Sequence, residues 1–125
     1  MRRVVDSSAV IAVLFQESGA SKVAPELEGA LISSVNALEV LRVLTRRGTR
    51  LTEAKKAFDL LWTLVIPFDY DDVPITAEIA EMAPHLSLGD CACIALARRQ
   101  SANEILTADR AWKRTDFGIP ITLIR

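Results

Sequence analysis

Four acidic residues of this 125-residue chain stand where carboxylates lack polar company. Asp6 lies in Val-Val-Asp-Ser-Ser, Glu39 in Asn-Ala-Leu-Glu-Val-Leu, Asp90 in Leu-Gly-Asp-Cys-Ala-Cys-Ile-Ala, and Asp109 in Ile-Leu-Thr-Ala-Asp-Arg. They are separated by 33, 51 and 19 residues, so no local motif joins them and only a tertiary fold can bring them together. Two like charges about 4 Å apart repel by on the order of 4 kcal/mol at an effective dielectric near 20, so gathered carboxylates need protons or a cation. Hard oxygen donors with no His or Cys ligand among them suit magnesium or manganese over zinc or copper. The chemistry that uses such a site is phosphoryl transfer or phosphodiester hydrolysis: a divalent ion activates water and neutralises charge building on phosphate oxygens.

The chain order supplies elements able to position these acids. Arg3 to Asp6 reads as a short buried strand, and Ser7-Ser8 offers N-cap chemistry before the apolar helical stretch Ala9 to Phe15. A short helix is expected from about Ser21 to Glu28 and a second strand from Ala30 to Ser33. Val35 to Arg47 is an amphipathic helix closed by Gly48, and Thr52 is expected to cap the next one. Leu64 to Ile66 suggests a strand, Val73 to Met82 a helix stopped by Pro84, and Leu88 to Gln100 a helix opened by Ser87 and Gly89. Glu104 to Thr107 and Ile119 to Ile124 complete the strands, with Asp109 just past the carboxyl end of the first of these. Strands alternating with helices predict a mostly parallel sheet covered on both faces, whose ligands lie off the strands' carboxyl ends, where Asp6 and Asp109 fall.

Composition narrows the class. Hydrophobic residues make up 50% and charged residues 25%, the balance of a globular chain with one core, and the length predicts a single domain over residues 1–125. The longest apolar runs, Ala9 to Phe15 and Cys91 to Ala97, have seven residues each, against about 20 for a membrane span. Asp6 and Glu17 bound the first run and no cleavage signal follows, so a cytoplasmic chain is expected. Cys91 and Cys93 point about 200° apart on a helix and read as small core residues. The net charge of −1 argues against global attraction to nucleic acid, but Arg42 to Lys56 holds six bases against one acid. That run is a solvated face, or, at Arg46 and Arg47, a contact for RNA phosphates.

Together, Asp6 with Ser-Ser and its apolar helix, Ser33-Ser34-Val35-Asn36-Ala37-Leu38-Glu39-Val40, Leu88-Gly89-Asp90-Cys91-Ala92-Cys93-Ile94-Ala95-Leu96-Ala97 and Leu106-Thr107-Ala108-Asp109-Arg110-Ala111-Trp112 resemble the PIN-domain ribonucleases, and among these the VapC-type toxins of type II toxin-antitoxin pairs. The resemblance spans essentially the whole chain. It implies a three-layer α/β/α domain with a short, mostly parallel sheet flanked by helices. It implies an endoribonuclease dependent on Mg2+ or Mn2+, with Asp6, Glu39, Asp90 and Asp109 at the catalytic centre. Asp6, Asp90 and Asp109 would hold the ion directly or through water, and Glu39 would hold or polarise the attacking water. Thr107 matches a hydroxyl residue that supports the last acid, and Asp116 matches loosely a further acid. Such proteins cut RNA, form homodimers, and are silenced by a cognate antitoxin.

Simpler roles compete for each position. Asp6, Asp90 and Asp109 could cap helices or turns, and Glu39 could pair on the surface with Arg42. Ser7 and Ser8 are caps or supports of the metal site, with capping favoured, and Asn36 lines the cleft or caps its helix. His85, alone of its type, has no triad or zinc partners. Trp62 and Trp112 are core or interface anchors before they are stacking platforms. A phospho-acceptor domain is disfavoured because no D-x-D follows the first strand. The alternative to catalysis is a catalytically silent PIN-like module acting only through protein binding.

Overall fold

The structure, a computed structural model, describes residues 1–125. Five strands, β1 (Arg3–Val5), β2 (Leu31–Ser33), β3 (Leu64–Ile66), β4 (Glu104–Thr107) and β5 (Ile121–Leu123), form one sheet in the order β3-β2-β1-β4-β5. Every pairing is parallel, with Val4 beside Leu31 on one side and Ile105 on the other. Six helices flank the sheet: α1 (Ser7–Leu14), α2 (Ala20–Val23), α3 (Ser34–Arg46), α4 (Leu51–Asp59), α5 (Asp72–Met82) and α6 (Leu88–Arg99).

Alternation along the strands divides the interior into two cores. Val5, Ile32 and Leu106 face a cluster with Val10, Val40 and Phe58 from α1, α3 and α4. Val4, Leu31 and Ile105 face the opposite cluster, where Ile79 of α5 meets Cys91, Cys93 and Ile94 of α6. Adjacent strand residues therefore point to opposite layers, and central strands buried on both faces read as continuous apolar runs. The result is the three-layer α/β/α arrangement anticipated from the alternation of elements. No helix is long and apolar enough to cross a membrane.

Several local expectations are corrected. The helix expected from Ser21 to Glu28 breaks into α2 and a 3-10 turn, Ala24–Glu26, because Pro25 lacks the N–H that continuing α2 would need. Thr52 does not cap α4: Arg50 holds the extended N-cap backbone and the helix already begins at Leu51. Ser7 and Ser8 do not cap α1 either, since Asp6 occupies the N-cap position and both serines lie inside the helix. The last strand is shorter than expected.

The turn into α2 depends on Gly19, whose φ of +91° is strained for other residues and whose missing side chain leaves room for the backbone of Ile124; an added Cβ would sit 2.9 Å from that carbonyl carbon. Gly48 shares the left-handed backbone, at φ +101°, but faces open space. Gly48→Ala should therefore cost about 1 kcal/mol, and Gly19→Ala clearly more, in urea unfolding. Equal costs would show that the contact with Ile124 contributes nothing.

Candidate active site and metal centre

The four acids converge on the carboxyl edge of the sheet. Asp6 directly follows β1 and holds the N-cap position of α1, while Asp109 follows β4 by two residues and caps the 3-10 turn Arg110–Arg114. The chain leaving β1 enters the α1 layer, whereas the chain leaving β4 brings Trp112 into the opposite core. A crevice opens where neighbouring strands send their connections to opposite faces, and Asp6 and Asp109 border it. Glu39 arrives from the second turn of α3, which starts at the end of β2, and Asp90 from the first turn of α6.

Asp6 is buried, and its Oδ2 accepts hydrogen bonds from Ser8 Oγ at 2.6 Å and Thr107 Oγ1 at 2.9 Å. Each hydroxyl has spent its single proton on the carboxylate and so accepts from the backbone beyond β4: Ser8 Oγ from the Ala108 N–H at 2.9 Å, Thr107 Oγ1 from the Asp109 N–H at 3.1 Å. Two relays thus lock the Asp109 turn to Asp6. In the sequence Ser8 reads first as a cap; its supporting role depends on contacts about a hundred residues away, and the only local signal is its place two residues after a strand-end Asp.

Glu39 makes no ion pair with Arg42. Its Oε1 accepts from Ser7 Oγ at 3.1 Å and from Asn36 Nδ2 at 2.8 Å, and Asn36 also donates to the Gly89 carbonyl at 3.0 Å. Asn36 is fully buried and does not cap α3, a task performed by Ser33. Ser7 contacts Glu39 and, more distantly, Asp6 Oδ1 at 3.5 Å. Asp90 closes a capping box with Ser87, its Oδ2 accepting from the Ser87 N–H at 3.1 Å. Asp109 Oδ1 accepts from the Ala111 N–H at 2.9 Å. The capping roles weighed for these two acids are thus realised through one oxygen each.

The remaining candidates lie elsewhere. Glu39 lies in the second turn of α3, so Arg46 and Arg47 stand about 11 Å further along its axis; Arg47 meets Glu17 at 3.6 Å and stacks 4.2 Å from the centre of the Phe15 ring. Asp116 bonds the Gly118 N–H in the loop before β5. His85 contacts the Ala111 carbonyl, Trp112 is core, and Trp62 is exposed.

The sequence matches the PIN domain family over residues 3–118. The chain belongs to that family. Its fold is similar to a toxin-antitoxin complex from Klebsiella pneumoniae (14% identity, TM-score 0.76, covering 100% of this chain and 98% of the other). It is also similar to DNA-bound VapBC from Salmonella typhimurium (15%, TM-score 0.74, 100% and 99%) and to Mycobacterium tuberculosis VapC20, described as a sarcin-ricin loop cleaving toxin (21%, TM-score 0.72, 93% and 92%). Among curated proteins the sequence has no significant match.

Within this PIN domain, burial drives the electrostatics. Desolvation pushes the Asp6 carboxyl up to about 6, with the charges of Asp90 and Glu39 adding to the rise and the Ser8 and Thr107 hydroxyls opposing it. Asp90 is also raised, first by burial and further by the charges of Asp109 and Glu39, against the Ser87 hydrogen bonds. No Lys or Arg forms an ion pair with any of the four acids. An all-oxygen donor set with a buried carboxylate and no internal cation fits a hard divalent ion. In this conformation no three His, Cys, Asp or Glu side chains stand together as a complete metal-holding group.

The folded state holds the Asp6 proton more tightly than the unfolded chain, whose carboxyl titrates near 3.8. Stability in metal-free buffer should therefore fall as pH rises from about 4 to about 6, by on the order of 3 kcal/mol from this group. Asp6→Asn removes the charge and should raise the metal-free melting temperature at pH 8 by several degrees. A variant that melts at or below the parent would contradict a destabilising buried charge.

Proposed function

We propose that this PIN domain is a VapC-type toxin: an endoribonuclease that hydrolyses RNA phosphodiester bonds with Mg2+ or Mn2+ and acts in the cytoplasm. The observation that carries this is the set of four acids around one crevice, with a buried Asp6 that no Lys or Arg neutralises. Likeness to VapBC complexes and to VapC20 supports the toxin assignment.

Asp6, Asp90 and Asp109 would hold the ion. When bound, it would supply a polarised water and positive charge for the phosphate oxygens. Glu39 has Oε1 tied to Ser7 and Asn36, and Oε2 makes no hydrogen bond that would compete for a proton from the attacking water. The water oxygen bonds to phosphorus as the bond to the leaving ribose oxygen breaks, and that oxygen takes up a proton from solvent. Thr107 and Ser8 keep Asp6 and the Asp109 turn in place throughout.

A cognate antitoxin and a second copy of the chain are the expected partners.

The central test is cleavage of a broad RNA pool by purified wild type, Asp6→Asn and Asp90→Asn, with Mn2+ and with chelator. Wild type should cut only with the ion, and each variant should lose on the order of a hundredfold or more. Absence of ion-dependent cleavage by the wild type would favour a silent binding module.

A further inference from the structure

We propose that Gly89 is a positioning residue for Glu39: the absence of a side chain at the start of α6 is what lets the Glu39 carboxylate lie between α1, α3 and α6. The inference rests on the nuclease reading and deepens it. A Cβ built on Gly89 would lie 2.6 Å from Glu39 Cδ and 2.7 Å from Oε1, and all three of its nearest atoms belong to Glu39. Gly89 is buried within helix α6 and, unlike Gly19, does not adopt a left-handed backbone. Its glycine is therefore required neither by conformation nor by backbone crowding, only by the carboxylate opposite.

Asn36 completes the arrangement. Its Nδ2 donates both to Glu39 Oε1 and to the Gly89 carbonyl, so one amide fixes the acid and the helix end against which the acid packs. Asn36 Oδ1 is buried without a partner, an uncompensated group that helix packing alone does not call for. Ser7 holds the same Glu39 oxygen from α1. Any side chain at position 89 must evict the carboxylate, breaking both of these hydrogen bonds. The fold itself should tolerate the change, because the displaced atoms end a flexible side chain and alanine is the better helix former.

The signature is thus loss of Glu39 function without loss of stability. Wild type, Gly89→Ala, Glu39→Gln and the double variant would be compared by metal-free melting, by kcat and KM for RNA cleavage with Mn2+, and by the Asn36 side-chain amide signals in 1H–15N spectra. Gly89→Ala should melt at or above the wild-type temperature, lose about tenfold or more in kcat with little change in KM, and add no loss in the Glu39→Gln background. Its Asn36 amide signals should move, because the evicted carboxylate no longer accepts from Asn36 Nδ2. Wild-type kcat in Gly89→Ala, independent losses in the double variant, or unmoved Asn36 signals would overturn the proposal. A wild type that cuts no RNA while the Asn36 signals still move would overturn the nuclease reading and leave the placement of Glu39 by Gly89 supported.

Discussion

The buried Asp6 carboxylate organises this molecule. It sits where a central parallel strand ends, excluded from water, and accepts two hydroxyl protons that cannot then be used elsewhere. Because Ser8 and Thr107 must give those protons to Asp6, their oxygens remain free for the backbone beyond β4, and the turn bearing Asp109 is drawn to the same point. One unfavourable burial thereby dictates the position of residues a hundred places apart in sequence. The hydroxyls offset only part of the cost, which is why the carboxyl stays well above the ordinary range.

Parallel topology favours the other acids at the same edge. Each strand ends where a helix or turn begins, so the carboxyl edge is also an edge of helix N-termini, whose partial positive charge favours acids. Asp6 stands at the start of α1, Asp90 in the first turn of α6, Asp109 at the head of a 3-10 turn, and Glu39 against Gly89 of α6. Hydroxyls and an amide hold Asp6 and Glu39, and backbone N–H groups hold Asp90 and Asp109, in place of basic side chains. The cleft thus keeps negative charge that no Lys or Arg neutralises.

What the sequence revealed and what it concealed follow the range of the interactions involved. Asp6 and Asp109 were legible because apolar strands run directly into them, and Ser87 and Gly89 because helix starts have local signatures. The α/β layering was legible from periodicity. Ser8 was misjudged because a serine after a strand-end Asp looks like a cap, and only pairing of β1 with β4 recruits it to the Asp109 turn. Asn36 was ambiguous because its decisive partner, the Gly89 carbonyl, lies 53 residues away. Arg46 and Arg47 stand out in the sequence by charge density alone, and α3 sets them about two helical turns beyond Glu39.

The two cysteines of α6 give the fold an internal timekeeper. Cys93 is entirely buried, and burial together with the nearby Asp6, Asp90 and Glu39 charges pushes its thiol well up, so little reactive thiolate exists while the layers stay closed. Alkylating reagents can reach it only when the core around α6 opens, and α6 is the element that carries Asp90. The rate at which that sulfur is labelled therefore measures how often the acid-bearing edge comes apart in the intact protein.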